Sequence, residues 1–110
     1  MSSPKTHLFE PRLTAMAEMF DALSHPARLQ ILEYLAETKT CISGDISEEI
    51  PLSRTTVNQH LDELKKVGLI QGHTSGVKVN YCLNPEGVDK LKAFITDFLS
   101  EVNYCYDKKC

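Results

Sequence analysis

Two sets of residues in this 110-residue chain have types and spacings that could do chemistry. The first is Ser53-Arg54-Thr55-Thr56-Val57-Asn58-Gln59-His60-Leu61 and its continuation to Lys66. Val57, Leu61 and Leu64 recur at i, i+4 and i+7, the stripe of a helix that rests on a core by one face. At about 100° per residue, Thr55, Asn58, Gln59 and Asp62 point the other way. Arg, Thr, Asn and Gln at a helix N-terminus have the donors and acceptors to reach base edges in a DNA major groove. An ordinary amphipathic surface helix would show the same stripe, so its neighbours must decide. The second set is four cysteines, at 41, 82, 105 and 110. They are compatible with buried packing, metal binding or redox chemistry.

Charge supports the nucleic-acid reading locally. The chain is net −3, but unevenly so. Residues 1–50 are net −4 and residues 82–110 net −1. Residues 53–81 hold Arg54, Lys65, Lys66 and Lys78 against Asp62 and Glu63, net +2. The only net-positive segment therefore contains the candidate reading helix, and a local basic patch suffices for phosphate contact. No apolar run approaches a membrane span, and Met1–Glu10 has no apolar signal-peptide core. The expectation is a cytoplasmic protein with reduced thiols. No Gly-rich phosphate loop, nucleophile elbow or acid/base pair suggests an enzyme.

The elements that must position the reading helix follow from periodicity and punctuation. Residues 1–12 read as a flexible arm. From Leu13, the apolar positions Met16, Ala17, Phe20 and Leu23 make a first helix. Pro26 suits the first position of a second helix, with Leu29, Leu32, Leu35 and Ala36 inward and an end near Lys39. Cys41-Ile42 precedes a short helix capped by Ser43, with Ile46 and Ile50 inward. Pro51-Leu52-Ser53 is a tight turn, and Ser53 caps the reading helix, with Leu52 and Val57 as a hydrophobic staple. A short helix, a turn and a capped helix make a helix-turn-helix. Gly68 ends the reading helix.

The period then becomes two. Leu69–His73 is a strand, Thr74-Ser75-Gly76 a turn, and Val77, Val79, Tyr81 and Leu83 alternate with Lys78, Asn80 and Cys82 as a second strand. That hairpin is a wing, with His73 at its tip and Lys78 placed for phosphate. Asn84-Pro85-Glu86 starts a last helix, Asn84 as N-cap, running to about Val102. Its stripe of Val88, Leu91, Ile95, Phe98, Leu99 and Val102 exceeds what one small core must cover, which predicts a homodimer. The fold expected is mainly α with a small β-hairpin: a winged helix-turn-helix over 13–102, followed by a Cys-containing tail at 103–110.

Three segments carry a family resemblance over residues 13–102. Phe20–Leu32, with Ala22-Leu23-Ser24-His25-Pro26-Ala27-Arg28-Leu29-Gln30-Ile31-Leu32, resembles the "ALxHPxRLxIL" opening of the ArsR/SmtB winged-helix repressors. Ser53–Leu61 resembles that family's "SxxTVSxHL" reading helix, with Asn58 where Ser is usual. Lys66-Val67-Gly68-Leu69-Ile70, followed by Gly76 and Tyr81, resembles the passage into the wing. The resemblance implies a homodimeric repressor whose reading helices meet double-stranded operator DNA, with no cofactor needed for DNA binding and no membrane partner. The expected DNA contacts are Ser53, Arg54, Thr55, Thr56, Asn58, Gln59, His73 and Lys78. Release by a thiophilic ion, trivalent arsenic above all, is also implied.

The ion ligands follow from the same resemblance. Cys41-Ile42-Ser43 keeps one thiol of the family's Cys-x-Cys pair, and Cys105 and Cys110 resemble the C-terminal thiols of some members, so Cys41, Cys105 and Cys110 are the candidate ligands. The family's Asp/His zinc site is not expected, since no histidine follows Asn84. Soft ions want two or three converging thiolates. On a continuous helix Cys105 and Cys110 would lie about 140° apart, so the tail would have to bend to join them. Cys82, on the face of its strand away from Tyr81, is expected to be a poor ligand. Two other readings stand beside this one: a redox sensor using Cys105 and Cys110 as a reversible disulfide, and a winged-helix protein-interaction module that never touches DNA.

Overall fold

The computed structural model describes residues 5–38, 41–43, 49–76 and 78–103. After a 3-10 turn at Thr6–Leu8, the order is α1 (Pro11–Ala22), α2 (Pro26–Thr38), β1 (Ile42–Ser43), α3 (Arg54–Lys66), β2 (Ile70–Ser75), β3 (Lys78–Leu83) and α4 (Pro85–Val102). The sheet is antiparallel with order β1-β3-β2. No helix among the described residues is long and apolar enough to cross a membrane.

Each boundary has a local cause. Pro11, Pro26 and Pro85 open α1, α2 and α4 with a preset φ at positions whose N–H would have no helical partner. Ser53 caps α3, its Oγ accepting from the Thr56 N–H at 3.3 Å. Gly68 follows α3 at φ +83, a conformation that costs a glycine nothing. Gly76 turns the hairpin at φ +66.

Several expectations need correction. Within the expected arm of 1–12, Thr6–Leu8 is a 3-10 turn and α1 begins at Pro11; residues 1–4 lie outside the described residues. β2 runs on through Thr74 and Ser75, pairing them with Val79 and Lys78, so the turn is tighter than three residues. Ser43 does not cap a helix; Ile42–Ser43 is a strand, pairing with Tyr81 and Asn80 of β3. The rest of the short helix expected there, Ile46 included, falls at 44–48, outside the described residues. Asn84 makes no side-chain cap on α4. Its Nδ2 instead donates to the Gly68 carbonyl at 3.0 Å, while its backbone N–H donates to Leu69.

The core lies between α2, α3 and the sheet. Ile31, Leu35, Ile50, Val57, Leu61, Leu64, Leu69 and Tyr81 form one buried cluster. α1 and α4 pack on each other at its flank, where the Phe20 and Phe98 rings meet edge to face with centroids 6.1 Å apart. Gly87, in the first turn of α4, is buried against the Gly68 turn; a Cβ there would overlap the Gly68 carbonyl oxygen. Gly87 was not singled out from sequence, since a glycine inside a helix pattern shows nothing of what packs on it.

Candidate nucleic-acid interface

α3 presents two faces of opposite character. Val57, Leu61 and Leu64 are buried almost completely. Ser53, Arg54, Thr55, Asn58, Gln59 and Asp62 are exposed. Thr55, Asn58 and Gln59 thus stand on a surface fixed from below by close-packed leucine and valine. Ser53 and Thr56 hold the helix start as well: Ser53 Oγ donates to Thr56 Oγ1 at 3.0 Å, and Thr56 is half-buried. Such a cap stabilises a helix by about 1 kcal/mol. Of the expected DNA residues, these two are therefore engaged in shaping the helix start, and Arg54, Thr55, Asn58 and Gln59 form its outward surface.

The wing supplies the rest. His73 is exposed on β2, paired with Asn80 rather than at the tip itself. Lys78 opens β3, in register with Ser75 beside the Gly76 turn. Lys65 and Lys66 close α3, where cations favour the negative end of the helix dipole, and Lys66 Nζ donates to Glu63 at 3.3 Å.

Beneath the reading surface is a polar cluster that sequence reasoning missed. His60 is the one buried polar side chain among the described residues. Its Nδ1 accepts from Arg28 Nε at 3.1 Å, which leaves the ring proton on Nε2, and Nε2 has no hydrogen-bond partner. Arg28 also donates from Nη1 to the carbonyls of Asp21 and Ala22, at 3.4 and 3.3 Å. The His25 ring lies 4.2 Å from that of His60, and its Nδ1 accepts from the Ala27 N–H. Burial first, then the neighbouring His25 and Arg28, hold His60 below its usual imidazole range. Arg28 thereby ties the end of α1 to α3. The available signal was the Arg28 and His60 pair within two motifs 32 residues apart, but nothing local says that they touch.

A second clasp ties α3 to α4. Gly68, just past α3, receives the Asn84 side chain and the close approach of Gly87. Both flanking helices therefore grip the reading helix, one near its middle and one at its end.

The cysteines differ from expectation. Cys41 and Cys82 are joined in a disulfide, Cα to Cα 4.4 Å. The expectation of reduced thiols does not hold for this pair, and Cys41 has no thiolate to offer an ion while so bonded. The reason is register. Ile42 opposite Tyr81 and Ser43 opposite Asn80 place Cys41 directly across from Cys82. Cys82 does lie on the face away from buried Tyr81, but β1 brings a second cysteine to that face. Cys105 and Cys110 lie outside the described residues. Among the described residues no group of three or more His, Cys, Asp or Glu side chains converges as a metal site would require.

Comparison with known proteins agrees with this geometry. Residues 25–71 match the family model described as "Bacterial regulatory protein, arsR family". The transcriptional repressor SdpR of Bacillus subtilis is 35% identical over 69 residues, which span 63% of this chain and 76% of SdpR. The HTH-type transcriptional regulator Rv0081 of Mycobacterium tuberculosis is 29% identical over 93 residues, 84% of this chain and 82% of its own. Its crystal structure superposes with a TM-score of 0.64, covering 86% of this chain and 94% of that one at 29% identity. An ArsR-like transcriptional regulator from Rhodococcus sp. RHA1 gives a TM-score of 0.68 over 81% of this chain and 83% of that one, and at 24% identity supports the fold. These relatives are regulators of transcription, not enzymes. A capped helix with a polar outer face, a hairpin wing beside it and these matches together make the chain a winged helix-turn-helix member of the ArsR family of bacterial regulatory proteins.

Proposed function

We propose that the chain is a homodimeric transcriptional repressor that binds double-stranded operator DNA through α3 and the wing. The observation that carries this reading is the two-sidedness of α3. Its apolar stripe is wholly consumed by the core, so Thr55, Asn58 and Gln59 remain on a rigid polar surface whose chemistry matches base edges. Arg54, at the start of α3, and Lys78, at the start of β3, hold phosphates. The net-positive segment that holds Arg54 and Lys78 favours DNA over the protein-interaction alternative.

The second subunit pairs through α1 and α4. Phe98, Leu99 and Val102 remain 46%, 55% and 57% exposed on one turn and a half of α4, with Leu13 and Ile95 exposed nearby. A solution structure of Mb0332 from Mycobacterium bovis, similar in fold, is described as a homodimeric winged helix-turn-helix domain. Two-fold pairing would present two reading helices to an inverted repeat with half-sites about 34–36 Å apart. Arg28 and the Gly68–Asn84–Gly87 clasp give the dimer helices a grip on each reading helix.

Enrichment of duplexes from a random pool, followed by sedimentation of the protein with the winner, tests both halves. The expected product is an inverted repeat bound by two chains. A monomer at micromolar concentration, or no enriched sequence, would sink the reading.

The finer expectation, release by a trivalent arsenic species, rests on Cys105 and Cys110. The described residues do not fit such an ion, with Cys41 bonded to Cys82 and no other thiol among them. Arsenite titration of the DNA complex, in the chain and in its Cys105→Ser, Cys110→Ser variant, decides the matter: release in the first alone supports the tail thiols, and release in both or neither rejects them.

A further inference from the structure

We propose that Cys41 and Cys82 are a reversible thiol–disulfide switch that couples the wing to the chain entering the helix-turn-helix, closed by a peroxide-class oxidant. This rests on the DNA-binding reading above and gives it a control input within the described fold.

Geometry makes the pair. Cys41 continues the β1–β3 ladder by one step, directly opposite Cys82, at 4.4 Å between Cα atoms. That is the spacing of opposed antiparallel residues in a non-hydrogen-bonded pair, and it lies within the disulfide range. The ladder itself therefore brings the sulfurs together. Access makes the bond reversible. Cys41 is exposed and Cys82 half-buried, so small oxidants and reductants reach the sulfurs, as they do not reach a bond sealed in a core.

Position gives the bond its effect. Cys41 follows α2 and precedes Ile50 and α3, whereas Cys82 sits in β3, the middle strand, whose other edge pairs Cys82 with Gln71 of β2. Among the described residues β1 contributes Ile42 and Ser43 to the sheet. Without the bond, the ladder among the described residues that joins the wing to the approach to α3 is the pairing of Ile42 with Tyr81 and of Ser43 with Asn80. With it, they are covalently tied. The wing and α3 meet DNA together, so tying them removes ordering that binding would otherwise have to impose. The oxidised chain is then the tighter DNA binder. By linkage, DNA makes the bond harder to reduce by the same factor.

The chemistry balances. The Cys41 thiolate attacks one peroxide oxygen, the O–O bond breaks, and the other oxygen leaves as alcohol or water after taking a proton. Cys41 is then a sulfenic acid. The Cys82 thiolate attacks its sulfur, the S–O bond breaks, and water leaves with a second proton. Two thiols lose two electrons and one peroxide gains them. A dithiol reductant reverses the change by exchange.

The test uses the full chain carrying Cys105→Ser and Cys110→Ser, so that only this pair can react. The chain is fully reduced, then treated with hydrogen peroxide, and its thiols are mapped by alkylation and peptide mass. Affinity is measured in both states on a duplex that the same chain enriches from a random pool. The expected result is an intramolecular 41–82 link, reversed by dithiothreitol, with DNA affinity about tenfold higher when the link is closed. Adding Cys41→Ser should abolish the peroxide response and leave affinity at the reduced value. No link, or a link with equal affinity in both states, overturns the switch. So does arsenite shielding both thiols of the reduced chain and changing affinity with no link formed, which would make the pair an ion site. Failure to enrich any duplex in either state sinks the DNA-binding reading, and the switch's output with it, whatever the thiol map shows.

Discussion

α3 and α4 are both amphipathic, yet their stripes meet different fates. On α3, Val57, Leu61 and Leu64 vanish into the subunit's own core. On α4, the second half of the stripe, from Ile95 to Val102, stays in water. What remains outside follows. α3 shows Thr55, Asn58 and Gln59, groups that pair with hydrogen-bonding partners, whereas α4 shows Phe98 and Leu99, which gain by leaving water. The same periodicity thus leaves a polar, hydrogen-bonding surface outside in one place and an apolar surface outside in the other. What separates them is whether the chain itself fills the groove over the stripe.

The strongest way to break this contrast is to remove a side chain from each stripe. Leu61→Ala should cost about 3–5 kcal/mol of folding stability, since Leu61 has no exposure to lose and the cavity cannot easily collapse. Chemical denaturation measures it, and a cost below about 1 kcal/mol would mean that α3 is not seated as described. Leu99→Asp should leave the core folded and weaken dimerisation about a hundredfold or more, because about 1.5–3 kcal/mol of apolar burial per side chain is lost twice in a symmetric pair. Sedimentation should show monomers with an unchanged helical signal. Loss of the fold instead would place Leu99 in the subunit core and erase the contrast.

The outward face of α3 is tested more gently. Asn58→Ala should cost about 1–3 kcal/mol on the preferred duplex and relax sequence preference, while Lys78→Ala should weaken all duplexes alike and flatten the salt dependence. An Asn58→Ala chain with intact preference would move the reading surface elsewhere.

The smallest effect sharpens the buried side, which is not wholly apolar. His60 is held below its ordinary range by burial, His25 and Arg28. The unfolded chain therefore takes up a proton there before the folded one does. Stability from this group is fully present above the ordinary imidazole pKa of about 6.5, which the unfolded chain has, and is lost as pH falls through the lower folded value. Thermal melts at pH 7.5 and 5.5 should show a lower midpoint at the acid end, and His60→Gln should shrink the difference. An equal drop in the variant would assign the pH response to other groups.

Much of this was legible along the chain. The 3.6-residue recurrence of Val57, Leu61 and Leu64, the cap at Ser53, the alternation of Val79, Tyr81 and Leu83, and the prolines at 26 and 85 each act over a few residues, so sequence alone specified α3, the wing strand and the starts of α2 and α4. It also showed that α4 carries more apolar surface than a small core can cover. The polar face of α3 was visible for the same reason: a helix with three fixed inward positions has its outward ones determined by rotation.

Tertiary structure alone decided the rest, because it depends on residues far apart in sequence. A two-residue strand has no pattern of its own, and Ile42–Ser43 becomes one only by pairing with β3. That pairing places Cys41 opposite Cys82, 41 residues on, and turns two separately read cysteines into a bond. Arg28 meeting His60, and Gly87 closing on Gly68, arise equally from packing between elements. Local periodicity determines which face of an element is apolar, but only the assembled chain determines which distant groups that face carries into contact.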